Sequence, residues 1–236
     1  MITAGPTREP IDTVRYISNR SEGKIGYELA AEMLMQGARV FLVSGPVNVD
    51  LTHPMLTVVK VNTACEMYLA CCKFFEEADI TLFAAAVSDY RLKEISDKKI
   101  IKQEDYFTIK MVKNIDIAGA FAKLKRPNQL TVGFTMQTTD DIKQAMLKMD
   151  TKNFDMVVLN SVNEDEPGFG NDLNRISIIK NDYSIRQLAL KSQSAIVKEL
   201  VASIAQMLQQ KQFAAFQGHE IETSDQSSLI ADSGFN

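Results

Sequence analysis

The chain has 236 residues, of which 45% are hydrophobic and 24% charged, and its formal net charge is −4. These values are typical of a globular protein of one large domain, or of one domain with a small appendage. No run of roughly 18 apolar residues occurs, so no membrane-spanning segment is predicted. The weak acidic charge and the lack of a basic cluster argue against binding to nucleic acid.

The first residues and the cysteines of the chain indicate the cellular compartment that we expect. The first residues resemble a strand rather than a signal peptide. The three cysteines, Cys65, Cys71 and Cys72, fall in one predicted helix with no histidine nearby. An odd number of cysteines without histidines argues against a disulfide framework or a metal site. We therefore expect reduced thiols in a cytoplasmic protein.

Short apolar runs alternate along the chain with helical segments, which is the pattern of parallel strands connected by helices. A glycine, Gly37, stands where a helix would end before the second strand. The sequence predicts an α/β fold: a Rossmann-like, doubly wound, mostly parallel sheet with helices on both faces. Predicted strands are 1–4, 39–44, 57–62, 80–85, 130–136 and 154–159, and predicted helices are 23–36, 64–77, 116–125 and 140–150.

Three later segments depart from this alternation. Residues 91–113 lack a helical pattern, and 106–112 alternate like a half-exposed strand, so we predict a β-hairpin or flap arm outside the sheet. Asn181 and Asp182 form a predicted hairpin turn between strands 175–180 and 184–188, before a last helix at 194–210. The predicted domain is 1–210, and the polar residues 211–236 are expected to be a loosely ordered tail.

The most informative stretch is a long loop that leads into the first helix. It runs from Gly5 to about Ser21, whereas a connection between strand and helix usually has only a few residues. Gly23 and Gly26 follow at the start of the helix, where glycine permits close approach of a ligand or of the sheet. The free N–H groups of a first helical turn bind anions. This pattern favours a nucleotide site, although a helix start capped by Ser21 would also explain it.

A second group of candidates follows the strand that starts at Ile80. Small residues, Ala84 to Ala86, end this strand at the edge where open α/β sheets bind ligands, and Asp89 comes directly after them. Asp89 either holds a ribose hydroxyl or a metal-bound phosphate, or caps a turn. Lysines in the arm, among them Lys99, could form a mobile loop that closes on a triphosphate. Lys148 and Lys152 lie four positions apart on one helix face, as a binding pair or as surface charge.

Five motifs in order give the chain a specific resemblance. They are Gly-Pro-Thr-Arg-Glu-Pro at 5–10, Tyr-Ile-Ser-Asn at 16–19, Ala-Ala-Val-Ser-Asp-Tyr at 85–90, Lys-Met-Val-Lys-Asn at 110–114 and Val-Gly-Phe at 132–134. With them the chain closely resembles phosphopantothenoylcysteine synthetase (phosphopantothenate–cysteine ligase) of coenzyme A biosynthesis, over about residues 2–210. No flavin domain is recognisable, so the stand-alone bacterial form without flavin is expected.

The resemblance implies a ligation in two steps. The carboxylate of 4′-phosphopantothenate attacks the α-phosphate of CTP and releases pyrophosphate, and the cysteine amine then attacks the acyl-cytidylate and releases CMP. It assigns Asn19 to the acyl-nucleotide intermediate, Lys99 to the first step, and Arg15 and Ala86 to the substrate. Ile115 occupies a position where the family often has proline. The implied nucleotide-binding residues are Ser21, Gly23, Gly26, Phe83, Ala84, Ala85, Asp89, Lys99, Ile115, Asp116, Ile117, Ala118, Phe134, Lys148 and Lys152.

The resemblance also implies a homodimer in which the arm, about residues 91–113, serves dimerisation by crossing to the partner. Mg²⁺ is expected with the CTP, and Asp89 is the candidate near the metal. A separate phosphopantothenoylcysteine decarboxylase would act downstream. The bacterial members of the family use CTP rather than ATP as the nucleotide substrate, so CTP is expected here. Two alternatives remain: an NAD(P)-dependent Rossmann oxidoreductase, and a nucleotide-binding module without catalysis. The oxidoreductase is disfavoured because residues 43–46, at the end of the second strand, include no acidic residue to hold a ribose.

Overall fold

The computed structural model describes residues 1–102, 105–137, 141–161 and 173–231. In chain order the elements are β1 (Ile2–Ala4), β2 (Arg8–Pro10), β3 (Tyr16–Ser18), α1 (Lys24–Met35), β4 (Val40–Ser44), β5 (Leu56–Lys60), α2 (Ala64–Cys72), β6 (Ile80–Phe83), β7 (Tyr90–Leu92), β8 (Met111–Lys113), α3 (Ile117–Ala122), β9 (Leu130–Gln137), α4 (Asp141–Thr151), β10 (Met156–Ser161), β11 (Leu173–Lys180), β12 (Ile185–Ser192) and α5 (Gln193–Ala231).

One eight-stranded sheet organises the described residues, in the order β12-β11-β10-β9-β6-β1-β4-β5. The strands from β10 to β5 in this order run parallel, and β11 pairs antiparallel with both β10 and β12. The predicted mostly parallel α/β fold is confirmed, and each predicted strand of the sheet is present within a few residues of its expected ends. Crossovers on both sides of β1 bring the carboxyl ends of β1, β6 and β9 to one edge.

Helices cover both faces of the sheet, as predicted. On one face α1 and α5 pack against residues such as Ile2, Leu42 and Val158. On the other face α2, α3 and α4 pack against the alternate residues of the strands, among them Val43 and Val157. Because successive side chains of a strand point to opposite faces, strands buried on both faces are mainly apolar, with buried polar exceptions such as Thr3 and Ser44.

Two helices end earlier than the sequence pattern predicts. α2 stops at Cys72 instead of Glu77, since the amide of Lys73 bonds back to Ala70 and that of Phe74 to Cys71, in the tighter spacing of a closing turn. α3 similarly stops at Ala122 instead of Lys125. Phe75, which the predicted helix included, and Ala78, just beyond its predicted end, are buried in the segment that follows α2.

The arm lies outside the sheet, in agreement with the prediction. β7 and β8 form a separate antiparallel pair, and residues 93–110 between them include no helix or strand where they are described. The predicted strand over 106–112 is too long, because only Met111–Lys113 pairs with a partner. Period-two alternation describes a strand only where another strand supplies hydrogen bonds, and Tyr106 and Phe107 have no such neighbour among the described residues.

The C-terminal hairpin is present and longer than predicted, and the last helix does not end at Gln210. α5 continues to Ala231, and the side chain of Lys211 donates to the carbonyl oxygen of Gln129 and to Oδ1 of Asp155, both at 2.7 Å. Lys211, the first residue of the predicted tail, is thus joined to the core, and the domain boundary at residue 210 stays a prediction. The loosely ordered tail stays a prediction for later residues. No helix of the described residues is long and apolar enough to span a membrane.

Candidate functional site

A cavity of about 510 Å³ opens where the sheet meets α3 and α4. Its floor contains Thr3 of β1, Phe83 of β6 and Gly133 of β9, so it lies at the edge where open α/β sheets bind ligands. The segment that follows β6 and the segment between β8 and α3 form its walls. The complete lining is Thr3, Phe83, Ala85, Val87, Ser88, Asp89, Tyr90, Lys113, Asn114, Ile115, Asp116, Ile117, Ala118, Gly133, Phe134, Lys148, Lys152 and Phe154.

Most of the residues predicted to contact nucleotide meet in this cavity, although they come from four separate parts of the chain. Those that line it are Phe83, Ala85, Asp89, Ile115, Asp116, Ile117, Ala118, Phe134, Lys148 and Lys152. The other predicted residues, which do not line it, are Arg15, Asn19, Ser21, Gly23, Gly26, Ala84, Ala86 and Lys99. The structure therefore divides the predicted residues between the cavity and the loops around it.

Lys148 of α4 and Lys152, which directly follows that helix, bring positive charge to the cavity. Nζ of Lys148 donates to the carbonyl oxygen of Phe134 at 3.3 Å, and Lys152 pairs with the carboxylate of Asp116. Burial lowers the pKa of each lysine, and the negative charge of Asp89 partly opposes that shift. Asp116 itself caps α3 through the amide of Gly119 at 3.0 Å. A polyanion entering here would meet two ammonium groups already held in place.

Asn19 connects the long loop to the wall of the cavity. Its Nδ2 donates to the carbonyl oxygen of Ala86 at 3.1 Å and to that of Val87 at 3.0 Å, and Val87 lines the cavity. The amide of Ala86 in turn donates to the carbonyl oxygen of Gly5 at 2.9 Å. The loops after β1, β3 and β6 are therefore joined beside the cavity, and two predicted residues, Asn19 and Ala86, are in direct contact.

The start of α1 has the two features that its glycines predict. Gly23 has a φ of +74°, and a Cβ there would lie 3.0 Å from the Cα of Gly5. A Cβ on Gly26 would lie 2.5 Å from the Cβ of Ala4, so glycine allows the helix to approach β1 closely. The alternative of a serine cap is wrong: Gly23 is the N-cap residue, and Ser21 only accepts a 3.3 Å hydrogen bond from the Gly23 amide.

Arg15 is held by a residue that sequence reasoning missed. Its guanidinium donates to Oδ2 of Asp12 through Nε at 3.0 Å and through Nη2 at 2.5 Å. The hydrogen bonds from Arg15 hold the pKa of the Asp12 carboxyl well below its usual range. Asp12 also accepts at 3.1 Å from the amide of Ile100, one residue after Lys99 in the arm. An aspartate that precedes two turn residues was the available signal, since such side chains bond the backbone nearby.

Two polar residues of the cavity wall, Ser88 and Asn114, belong to the sequence motifs at 85–90 and 110–114. Nδ2 of Asn114 donates to the carbonyl oxygen of Ser88 at 2.8 Å, and the Asn114 amide donates to that of Asp89 at the same distance. Oγ of Ser88 is buried and has no hydrogen-bond partner within the described part of the chain. Their place in these motifs, close to Asp89 and Asp116, was the signal for both. Across the described ranges, no cluster of three or more His, Cys, Asp or Glu residues could hold a metal ion by itself.

Residues 1–208 match the family described as DNA/pantothenate metabolism flavoprotein C-terminal domain. The chain belongs to this family. Among curated relatives, it is 44% identical over 185 residues to the coenzyme A biosynthesis bifunctional protein CoaBC of Escherichia coli (strain K12), covering 77% of this chain and 45% of that protein. It is 41% identical over 203 residues to a cysteine/cysteine sulfinic acid decarboxylase of an unknown prokaryotic organism, covering 86% of this chain and 56% of the relative.

The chain thus spans about half the length of the curated relatives it matches. Among solved structures, it resembles the C-terminal domain of a CoaBC protein with a TM-score of 0.75 and 32% identity, over 89% of this chain and 94% of that one. It also has the fold of Cab2 mutant H337A, solved as a complex with phosphopantothenate-cysteine, with a TM-score of 0.71 at 15% identity over 91% of this chain and 87% of that one.

Proposed function

We propose that this member of the family is a phosphopantothenate–cysteine ligase that uses CTP. The observation that carries the proposal is the cavity at the carboxyl end of the sheet, in which Asp89, Lys148 and Lys152 surround a space that fits a small polyanion. The likeness to CoaBC proteins supports coenzyme A biosynthesis as the setting, and the ligand named for Cab2 is the expected product class.

The first step is formation of an acyl-cytidylate. A carboxylate oxygen of 4′-phosphopantothenate attacks the α-phosphorus of CTP, a new O–P bond forms, and the bond to pyrophosphate breaks with its electron pair. Nucleotidyl transfers of this kind depend on positioning and charge neutralisation rather than on a covalent bond to the protein. Lys148 and Lys152 are suited to the phosphates, and the rings of Phe83 and Phe134 are suited to the base.

The second step is attack of the cysteine amine on the acyl carbon. A C–N bond forms, the amine loses a proton, and CMP leaves. Because Nδ2 of Asn19 is engaged with two backbone carbonyls, its Oδ1 is the atom left to accept a hydrogen bond from an incoming donor. We infer that Asn19 both fixes the loop at Ala86 and contacts the intermediate.

Mg²⁺ is expected to accompany the triphosphate. This ion is usually held by one or two carboxylates together with substrate phosphates. Asp89 lines the cavity and fits that requirement, whereas Asp116 is already paired with Lys152. Bound Mg²⁺ would neutralise phosphate charge during pyrophosphate release.

A nicotinamide oxidoreductase is the competing function, and the end of β4 disfavours it. The strand ends at Ser44, whose Oγ donates to the carbonyl oxygen of Gly45 at 2.8 Å and accepts from Tyr27 at 3.0 Å. A dinucleotide site would need an acidic side chain at this position for the ribose.

Titration calorimetry with CTP, ATP and NADPH distinguishes these functions. We expect CTP to bind, and Lys152→Gln to weaken it by about ten-fold, as for one charged hydrogen bond. Lys198→Gln, which removes a charge from an exposed residue of α5 on the other face of the sheet from α3 and α4, is the control. Tight binding of NADPH with no binding of CTP would contradict the proposal.

A further inference from the structure

We propose that Asp12 is a positioning residue, whose carboxylate holds the loop that carries Arg15 and the arm segment that carries Lys99 in one fixed arrangement. The role in catalysis rests on the proposed function. The structural coupling between the two segments is independent of that function, because it can be measured without any substrate.

The first observation is the number of donors that converge on one carboxylate. Oδ1 of Asp12 accepts from the amides of Val14 and Arg15, both at 2.8 Å. Oδ2 accepts from Nε and Nη2 of Arg15 and from the amide of Ile100. The Asp12 side chain is completely buried, whereas 42% of the Arg15 side chain is exposed. A buried carboxylate with five donors is strongly held in its ionised form.

Residues on both sides of Lys99, Ser96 and Ile100, are hydrogen-bonded to the turn that contains Ile11 and Asp12. At one end, the amide of Ser96 donates to the carbonyl oxygen of Ile11 at 3.2 Å. At the other, Ile100 donates to Asp12 and accepts from Nη2 of Arg15 at 3.1 Å. Oγ of Ser96 also donates to the carbonyl oxygen of Lys98 at 2.7 Å. Only Asp97, Lys98 and Lys99 lie between these two hydrogen-bonded residues, and all three are exposed.

The third observation concerns Arg15. Its Nε and Nη2 are used by Asp12 and Ile100, and within the described ranges Nη1 has no hydrogen-bond partner. A guanidinium has a fixed planar fork, so holding one side sets the direction of the other. Asp12 therefore orients the free side of Arg15 and the backbone beside Lys99 at the same time.

These contacts matter for a reaction that depends on positioning. Misplacement by about 1 Å can cost about a hundred-fold in rate in such a site. Neither Arg15 nor Lys99 lines the cavity, so each must be presented to a ligand from its own loop. One buried carboxylate that fixes both loops removes two independent sources of misplacement.

Hydrogen exchange at the amide of Ile100 tests the coupling without any substrate. Asp12→Asn removes the charge from this hydrogen bond, and we expect exchange in peptides spanning 96–101 to become about ten-fold faster, as for one charge-assisted bond. Asp97→Asn makes the same change on an exposed residue of the same segment and should leave the exchange unaltered. Unchanged exchange in Asp12→Asn would overturn the proposal. If that variant does not fold, Arg15→Gln replaces it, and faster exchange of the same peptides is expected.

A double-mutant cycle tests the link to Lys99. We expect Asp12→Asn to lower kcat for pyrophosphate release by about ten- to a hundred-fold while the KM for cysteine stays unchanged. In a Lys99→Gln background the same substitution should have little further effect, because residues that act as one unit are not additive. Effects that simply multiply would overturn the proposal. Absence of pyrophosphate release by the unmodified protein would refute the proposed function instead, and the exchange result would still decide the coupling.

Discussion

Asn19 and Ala86, which are 67 positions apart in the sequence, are joined by a hydrogen bond of 3.1 Å from the Asn19 side-chain nitrogen to the Ala86 carbonyl oxygen. A second bond from the same nitrogen reaches Val87 at 3.0 Å. An amide group donates both bonds, whereas a carboxylate has no proton to donate and would repel both carbonyl oxygens.

Asn19→Asp should separate the two chemical steps. We expect the variant to release pyrophosphate and form the acyl-cytidylate, but to pass it to cysteine roughly a hundred- to a thousand-fold more slowly, as for loss of one well-placed polar group. Mass spectrometry after rapid quenching should find the trapped intermediate. Asn48→Asp, on an exposed loop residue, is the matched control.

Lys99→Gln is the complementary variant, because the resemblance assigns Lys99 to the first step. Pyrophosphate release and product formation should fall together, with no accumulation of intermediate. If Lys99→Gln accumulates the acyl-cytidylate while Asn19→Asp accumulates none, the two roles are reversed.

Nucleotide affinity should depend on pH through Lys148. Burial lowers the pKa of this lysine from its ordinary 10.5, so as pH rises its ammonium charge is lost earlier than that of an exposed lysine. Binding of a triphosphate should therefore weaken as pH increases towards 10.5, and Lys148→Arg should keep its affinity over that range because arginine stays charged. Fluorescence titration with a labelled nucleotide measures this, and the same pH dependence in both proteins would refute the assignment.

The exposed side chains of the arm predict a homodimer. Ile101 is 75% and Tyr106 77% exposed, and Ile95 and Phe107 are also largely exposed. Exposed apolar groups concentrated on one segment indicate an interface. We expect sedimentation velocity to find a dimer, activity to fall on dilution below its dissociation constant, and Tyr106→Lys to shift the population to monomer. A fully active monomer would contradict this expectation.

Lys211 should contribute to stability although it lies beyond the predicted domain end. It shares the buried carboxylate of Asp155 with Lys125. Lys211→Ala should cost about 1–2 kcal/mol, or about 2–8 °C in Tm for a chain of this size. Lys198→Ala changes an exposed lysine of the same helix and should leave Tm unchanged. Calorimetry gives both values, and equal Tm for all three proteins would indicate that the contact is not stabilising.

The fold was predictable because its signal is local and repeated. Strands buried on both faces must be apolar, and Gly26 has to lack a side chain where α1 approaches Ala4. Asp89 was predicted from the same strand pattern, because it lies in the segment between β6 and β7 at the carboxyl edge of the sheet. Ile115 to Ala118, at the start of α3, were implied by the family resemblance instead.

What sequence patterns did not predict are contacts between distant segments. The hydrogen bond from Ile100 to Asp12 joins residues 88 positions apart, and that from Lys211 to Asp155 joins residues 56 apart. No periodicity encodes such pairs. Lys211 was assigned to the tail on composition alone, because the residues after it are mostly polar or small and include no lysine or arginine.

The activity that we propose is conversion of 4′-phosphopantothenate to an acyl-cytidylate with CTP, followed by its ligation to cysteine. Pyrophosphate release, measured with CTP or ATP and with or without cysteine, tests it most directly. With CTP and 4′-phosphopantothenate but no cysteine, we predict one equivalent of pyrophosphate per site. Adding cysteine should give continuous turnover that yields CMP and the ligated product by mass spectrometry. No pyrophosphate with either nucleotide, or release that does not require 4′-phosphopantothenate, would contradict the claim.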